Sequence, residues 1–287
     1  MADPDSLELL ATRRQLAAEL LRLRLDAGLS THQLAQRIGV SQSKVSRIEH
    51  ARTATSIPDV RAWAAATGAG NARVEELLTL AERALTDTLT RRTILRHGIA
   101  ANQRAIGEIE REATLIREFS PDLIPGLFQT ADYYRQILTT IPLPEDFNPG
   151  EAIAARLDRQ RVLYDEAKQF NYVLTEQAVR WRFAGVESHR IQLDLLTKLA
   201  TLPHVHLAVI PLDAPAPAWH GHGFVIFDGL PDDADPIVSM ETLHGVQRFS
   251  DPGEVARYLE AFERLRRAAV TGEAAIQFIA GVVAGLR

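Results

Sequence analysis

The segment SQSKVSRIE at residues 41–49 presents polar side chains that are able to hydrogen-bond to nucleobases. A glutamine amide pairs with adenine through two hydrogen bonds, and an arginine guanidinium pairs with guanine in the same way. Val45 and Ile48 lie three residues apart, as on one side of a helix, so they are expected to be buried. Serine is a poor helix former, and a helix with a purely structural role would not favour it here. The side chains left on the outer side are Gln42, Ser43, Lys44, Ser46 and Arg47.

The preceding residues, STHQLAQRIGV at 30–40, predict the elements that hold this helix in place. Ser30 and Gln33 form a capping-box pattern at the start of a first helix. Gly39 ends that helix in a tight turn with a left-handed backbone, which costs little only for glycine. Ser41 then caps the second helix. Two short helices joined by a glycine turn predict a helix-turn-helix, a motif that places the polar side of its second helix in the major groove.

The segment from Leu21 to Ala69 resembles the five-helix DNA-binding domain of Cro/CI-type repressors, the XRE family. The pattern L-A-x-x-x-G-V-S-x-x-x-V-S-x-I-E runs from Leu34 to Glu49 with the glycine and both caps in place. The resemblance implies that the chain regulates transcription by binding double-stranded DNA. It implies base contacts by Gln42, Ser43, Ser46 and Arg47, and phosphate contacts by Thr31, Ser41, Lys44 and Arg52.

The end of the second helix carries an acidic residue and departs from the family pattern. A carboxylate at Glu49 would be repelled by the DNA backbone, so we expect it to form a structural ion pair within the domain. The usual Glu-x-Gly is Glu49-His50-Ala51 in this chain. We therefore expect the loop that carries Arg52 to have a different shape.

The net charge of the N-terminal part predicts how tightly one subunit would bind DNA. Residues 1–86 hold 11 Arg and Lys residues against 10 Asp and Glu residues, a balance of +1. So small a charge predicts only moderate affinity for each subunit. We therefore expect a homodimer on paired half-sites about 34 Å apart. The expected subunit contact is the pair of helices predicted between residues 252 and 287, the last of which is apolar almost all round.

The bulk composition is typical of a soluble globular protein, with 46% hydrophobic and 24% charged residues. The start, MADPDSLELL, lacks the order of charges and apolar residues of a secretory signal. The chain has no cysteine, which excludes disulfides, thiolate catalysis and cysteine metal sites and fits a location in the reducing cytoplasm. A net charge of -5 argues against a protein coated in nucleic acid but allows a local DNA-contacting face.

The pattern along 287 residues predicts three parts and an α+β, mostly helical fold. Residues 1–86 form the five-helix, lambda-repressor-like domain, residues 87–113 a connecting helix, and residues 114–287 a mixed α+β domain for sensing and dimerisation. The strands predicted in this last part come from the segments TLIREFS, FNYVLTEQAV, VHLAVIPL, GFVIFDG and PIVSMETL.

The C-terminal part is similar to the domain of poorly defined biochemistry that follows such a DNA-binding domain in many actinobacterial regulators. Segments that carry this similarity include EFSPDLIPGLFQTADYYRQIL and SMETLHGVQRFSDPGEVARYLEAFERLRRAAV. In that family, the regulator is typically encoded beside a small protein, in pairs that look like antitoxin and toxin. The similarity implies a C-terminal domain that dimerises and receives a protein or small-molecule signal.

Motifs of enzymes are missing from the sequence, which contains no G-x-S-x-G elbow, no H-E-x-x-H and no phosphate-binding loop. We therefore expect neither catalysis nor a cofactor. His204 and His206 are expected on one strand face and a further pair on the WHGHG loop, but nothing around them resembles a second shell, so no metal site is predicted. A ligand pocket lined by Tyr172, Trp219 and Phe224 is a further possibility.

These patterns together predict a cytoplasmic, sequence-specific DNA-binding regulator whose C-terminal domain modulates its occupancy of DNA. Two alternatives stay open. The first is an antitoxin-like protein whose main task is to bind a small protein partner, with DNA contact serving autoregulation. The second is a regulator that responds to a small molecule.

Overall fold

The computed structural model describes residues 4–53, 55–183, 185–215, 221–231 and 234–286 of the chain. It describes the side chains of these residues except those of residues 4–11 and 85–88. The N-terminal part is helical, and the remainder is built on one mixed sheet. The α+β fold class predicted from the sequence is therefore confirmed. In the described ranges, no helix combines the length and apolar character needed to cross a bilayer.

Five helices precede the first strand and enclose a small core. Trp63 is fully buried at its centre, and its Nε1 donates a hydrogen bond to the carbonyl oxygen of Leu20 over 3.0 Å. Leu34 and Val45 pack in the same cluster, each with no exposed surface. Burying a side chain of this size stabilises a fold by about 1.5–3 kcal/mol. The five helices are α1 Pro4–Asp26, α2 Thr31–Ile38, α3 Gln42–Glu49, α4 Ile57–Thr67 and α5 Asn71–Leu85.

The sheet has eight strands in the order β1-β7-β6-β5-β2-β3-β4-β8. The β2–β3 and β3–β4 pairs are parallel and the other pairs are antiparallel. The parallel pairs are joined by helical crossovers, as parallel strands require. The strands are β1 Thr86–Thr90, β2 Leu115–Ser120, β3 Gln169–Thr175, β4 Val205–Ile210, β5 Phe224–Asp228, β6 Ile237–Glu241, β7 Gly245–Phe249 and β8 Val270–Thr271.

Helices cover both faces of this sheet. Ile116 and Phe170 belong to the core on one face, whereas Phe119 and Val173, three residues further along each strand, belong to the core on the other. The first core includes residues of α8, α9, α11 and α13, and the second includes residues of α12. The helices of this part are α6 Arg91–His97, α7 Ile99–Glu112, α8 Ala131–Thr139, α9 Pro149–Arg159, α10 Glu176–Arg180, α11 Val186–Leu199, α12 Pro252–Arg267 and α13 Glu273–Ala284.

The single connecting helix predicted for residues 87–113 is replaced by a strand and two helices. The segment TDTLT forms β1, which pairs with β7 through the register Leu89 to Val246. Gly245 allows this pairing, because a Cβ there would lie only 2.2 Å from the carbonyl oxygen of Leu89. Gly98, with φ 94°, separates α6 from α7. The short edge strand lacks the apolar alternation by which strands are recognised, so the sequence did not predict it.

The last helix, α13, packs into the core of its own chain. Ala275, Ile279 and Val282 are buried there beside residues of α11 and the sheet. Its apolar character, from which the sequence predicted a subunit contact, is thus explained in large part by intramolecular packing.

Candidate nucleic-acid interface

Two side-chain caps and one glycine fix the geometry of the α2–α3 hairpin. Ser30 Oγ accepts a hydrogen bond from the Gln33 backbone over 3.2 Å, and Gln33 Oε1 accepts one from the Ser30 backbone over 2.8 Å. Gly39 closes α2 in the left-handed conformation with φ 73°. Ser41 Oγ caps α3 by accepting from the Lys44 backbone over 3.1 Å. All three features agree with the helix-turn-helix predicted from the sequence.

A buried ion pair anchors α3 to α1. The guanidinium of Arg24 contacts both carboxylate oxygens of Glu49, at 2.5 and 2.9 Å, and also donates to the carbonyl oxygen of Leu29 over 2.7 Å. The two charged side chains are only 9% and 4% exposed. The ion pair predicted for Glu49 is therefore present, and it holds the end of α3 against α1.

Three of the four predicted base-contacting side chains face solvent. Gln42, Ser43 and Ser46 are exposed on the outer side of α3. Gln42 Nε2 donates to Thr31 Oγ1 over 3.0 Å, and the hydroxyls of Ser41 and Ser43 are 2.9 Å apart. Because these hydrogen bonds lie at the surface, their atoms can exchange partners at little cost.

The fourth side chain, Arg47, has a different environment. It is half-buried, and its Nε atom is buried without a hydrogen-bond partner among the residues described. It lies at the side of α3 that approaches the C-terminal part of the chain, within electrostatic range of Asp235. A change in that approach would free the guanidinium for a partner outside the chain.

The predicted phosphate contacts are distributed around the same surface. Thr31 is half-buried and accepts from Gln42, and Ser41 is exposed at the start of α3. The ammonium of Lys44 is held by the Asp59 carboxylate of α4 at 2.9 Å, so a phosphate would have to compete with this partly exposed ion pair. Arg52 is exposed in the loop after α3.

The loop after α3 turns at Ala51, where the family pattern has glycine. Ala51 has φ 55°, in the left-handed region that side chains disfavour. The chain thus makes the turn that glycine makes easily, at a cost of about 1 kcal/mol.

An acidic loop of the C-terminal part touches the helix-turn-helix domain. Asp235, in the loop between β5 and β6, accepts a hydrogen bond from Thr53 Oγ1 over 3.2 Å. Burial raises the pKa of Asp235, and the Thr53 hydroxyl and the charges of Lys44, Arg47 and Arg13 act to lower it. Three cations of the helix-turn-helix part therefore act electrostatically on one carboxylate of the other part.

A second contact joins the same two parts. Arg13 Nη2 donates to Ser250 Oγ, directly after β7, over 2.8 Å, and its Nε donates to the carbonyl oxygen of Ala84 over 3.1 Å. Sequence reasoning missed both contacts, although the run of three aspartates in LPDDADP, residues 230–236, was a visible signal.

The structure does not bring the predicted pocket residues together. The strand register puts Tyr172 beside Glu118 on one sheet face and Phe224 beside Phe119 on the other, and both aromatic residues are buried. Trp219 lies outside the described residues. One pocket cannot be lined by side chains on opposite faces of a sheet.

The two histidines predicted on one strand face, His204 and His206, lie in different surroundings. His204 precedes the strand and is buried, with Nε2 2.8 Å from the carbonyl oxygen of Leu163, whereas His206 is exposed and contacts Gln169. Within the described ranges, no three His, Asp or Glu side chains are grouped as metal ligands.

Comparison with known proteins assigns families to both parts. Residues 15–77 match the model of a "Helix-turn-helix domain", and residues 103–281 match that of a "Domain of unknown function (DUF5753)". No curated protein matches the chain significantly. Among solved structures, the chain is similar to the archaeal chromatin protein TrmBL2, described as showing a novel mode of DNA binding, at 13% identity, with 84% of this chain and 87% of that chain covered and a TM-score of 0.31. The chain belongs to the family defined by the domain of unknown function DUF5753, and it carries a helix-turn-helix domain ahead of the family domain.

Proposed function

We propose that this chain is a sequence-specific DNA-binding regulator of transcription, of the XRE type, that acts as a homodimer on paired half-sites in the cytoplasm. Gln42, Ser43, Ser46 and Arg47 would contact bases, and Thr31, Ser41, Lys44 and Arg52 would contact phosphates. The chain would need no catalytic group and no cofactor for this task.

One observation carries the proposal. The outer side of α3 presents exposed amide and hydroxyl groups, while the opposite side is fixed by the buried Arg24–Glu49 pair and by fully buried apolar residues. A helix that is held rigidly and displays hydrogen-bonding groups outward is what reading of base edges requires.

The modest net charge of residues 1–86 supports the proposed dimer. A single domain with a net charge near zero gains little from phosphate contacts. Two domains on adjacent turns of the same DNA face add their contacts, provided that both recognition helices reach the groove together.

The contacts of Asp235 and Ser250 support modulation by the C-terminal domain. The charge of Asp235 acts on Lys44 and Arg47, so its carboxylate would compete with DNA for two predicted DNA-contacting cations. A signal that moves the loop between β5 and β6 would release them. In this mechanism the C-terminal domain lowers DNA affinity in the state described here.

Selection of bound fragments from genomic DNA by the purified full-length chain tests the main proposal. We expect an inverted repeat with half-sites one or more helical turns apart. Recovery of fragments without any shared sequence would contradict sequence-specific reading.

The two alternatives differ in what releases DNA from the protein. A tight complex with the product of a neighbouring gene, formed with loss of DNA, would favour an antitoxin-like role. Release by a small molecule alone would favour a small-molecule-responsive regulator. Both can be measured with the operator obtained from the selection.

A further inference from the structure

A row of side chains crosses one face of the sheet beneath α7 and α9, and most of it is polar. In the strand register, Tyr172 of β3 lies beside Glu118 of β2, Glu118 beside Val225 of β5, Val225 beside Ser239 of β6, and Ser239 beside Arg248 of β7. Partners in such a register point to the same side of the sheet. Polar groups in this interior position need partners from the helices above.

Arg159 of α9 lies above this row, and each nitrogen of its guanidinium has a hydrogen-bond partner. Its Nε and Nη2 atoms contact the two carboxylate oxygens of Glu110 at 2.9 and 2.5 Å. Its Nη1 donates to Gln103, and all three residues are buried. Gly107 leaves room for this side chain, since a Cβ there would lie 3.0 Å from Arg159 Cγ. This group ties α7 to α9 and needs no further ligand.

Arg156, one turn earlier on α9, has no carboxylate partner in the described part of the chain. Its guanidinium carbon lies 4.1 Å from the centre of the Tyr134 ring, and Nη1 donates to Gln129 Oε1 over 3.2 Å. Its Nε is buried without a hydrogen-bond partner. Gly126 admits this guanidinium, because a Cβ at that position would be 2.3 Å from Nη1. Burial and the charge of Arg159 lower the pKa of Arg156, and Tyr134 and the charge of Glu241 act to raise it.

Two further polar side chains near Arg156 are also incompletely paired. Tyr172 is 1% exposed, and its hydroxyl has no hydrogen-bond partner within the described ranges. Glu118 accepts a hydrogen bond from Ser120 Oγ over 3.0 Å, and burial raises its pKa to about 7. Leaving a buried polar group unpaired costs about 1–3 kcal/mol, so such groups in one place call for a functional explanation.

The turn at residues 126–128 brings these groups to one place. Gly126 at its start lies against the guanidinium of Arg156, and Phe128 at its end packs on the Tyr172 ring with centroids 4.3 Å apart. The charge of Arg156 also acts on Glu118, the neighbour of Tyr172 in the sheet. Glu118 and Arg156 each keep a small exposed fraction, so the cluster borders on solvent at these two residues.

We propose that Arg156, Glu118 and Tyr172 form a binding site for a small zwitterion with the chemistry of an α-amino acid. The carboxylate of the ligand accepts from Arg156 Nε and the Tyr172 hydroxyl, and its ammonium group donates to Glu118. This site goes beyond the proposed DNA-binding function and does not depend on it.

The charges of the site select this class of ligand. A simple anion would neutralise Arg156 but would leave Glu118 to be protonated or repelled. A simple cation would pair with Glu118 but would add charge next to two arginines. A zwitterion compensates both groups and keeps the net charge of the site unchanged, which is the cheapest solution where solvent is largely excluded.

Calorimetric titration of the full-length chain with the twenty proteinogenic L-α-amino acids, first in pools and then singly, tests the site. We expect at least one amino acid to bind. We also expect its analogue without the amino group and its analogue without the carboxylate to bind at least tenfold more weakly. Absence of binding by every amino acid, or equal binding by a truncated analogue, would overturn the proposal.

The variant Tyr172→Phe separates a ligand site from a structural cluster. Because its hydroxyl has no partner in the protein, its removal should leave the unfolding midpoint unchanged or raise it, and should weaken amino-acid binding about tenfold. Tyr164→Phe, at a residue that is 67% exposed, is the matched control and should change neither. Unchanged affinity in Tyr172→Phe would contradict the proposed site. None of these readouts involves DNA, so they stand or fall apart from the regulator proposal.

Discussion

The outer side of α3 and the cluster around Arg156 are both polar, but their surroundings are opposite. On α3, Gln42 and Ser46 face solvent, where water satisfies them and where they cost the fold little. Around Arg156, a hydroxyl and a guanidinium nitrogen are buried and unpaired, so each costs stability. The comparison teaches that the exposed groups of the first surface can meet a large rigid partner such as DNA, whereas the second suits a small molecule that fits between elements already packed.

The largest expected effect concerns the support of the exposed surface. Arg24→Met would leave the buried Glu49 carboxylate without its partner, and we expect a loss of about 3–5 kcal/mol in the free energy of unfolding, measured in urea. The matched control is Lys44→Met, which breaks an ion pair whose lysine side chain is 35% exposed and should cost less than about 1 kcal/mol. Equal losses in the two variants would mean that α3 is not anchored by the buried pair.

The next effect concerns the buried cluster and depends on pH. Burial raises the pKa of Glu118 from 4.5 to about 7. Between pH 4.5 and pH 7, the folded chain therefore keeps a proton on Glu118 that the unfolded chain has lost. The wild type should therefore lose stability relative to Glu118→Gln as pH rises from 4.5 to 7, by about 2–3 kcal/mol, and change little above that. Urea unfolding of both proteins at pH 5 and pH 8 measures the difference. A wild type that gains stability relative to the variant over this range would contradict the assigned surroundings of Glu118.

The contrast between the two regions also explains what the sequence predicted. The α3 surface is encoded by neighbours in the chain, namely Ser41, Val45 and Ile48 with the polar residues between them, so helical periodicity was enough. The cluster joins Glu118, Arg156 and Tyr172 through strand register and a turn, which a single sequence does not specify. Gly107, which interrupts an apolar helical stripe, was the available signal, since it makes room for Arg159.

The strands also differ in whether the sequence predicted them. Strands β2 to β6 have long apolar segments and were predicted close to their observed positions, whereas β1, β7 and β8 were missed. β8 has two residues, and β1 has one apolar residue, so their pairing is fixed by the sheet rather than by their own composition.

A smaller effect should appear at the contact between the regions. Asp235→Asn removes the carboxylate that competes with DNA for Lys44 and Arg47, so we expect operator affinity to rise about fivefold at low salt and less at high salt. Fluorescence anisotropy of a labelled operator measures this rise. Asp213→Asn, on a carboxylate elsewhere in the C-terminal part, is the control for the change in net charge. An affinity that falls in Asp235→Asn would show that the contact supports DNA binding instead of opposing it.

The smallest effect is expected in the turn after α3. Ala51→Gly relieves the left-handed backbone strain at φ 55° but makes the unfolded chain more flexible. The net result should be a free energy of unfolding that is higher by up to about 1 kcal/mol. Ala66→Gly, within α4, is the matched control and should destabilise the domain by a similar amount. Loss of stability in both variants would mean that Ala51 carries no strain.

The most direct test of the central claim is the ratio of affinities for the selected operator and for a scrambled duplex, measured at one salt concentration in wild type, Arg47→Ala and Arg61→Ala. Arg61 is an exposed arginine of α4 and controls for the loss of one positive charge. We predict that Arg47→Ala lowers operator affinity by about 1–3 kcal/mol and leaves scrambled DNA nearly unaffected, whereas Arg61→Ala preserves the ratio. Equal losses on both duplexes in Arg47→Ala, or a wild type that does not distinguish them, would contradict the reading of DNA sequence by the outer side of α3.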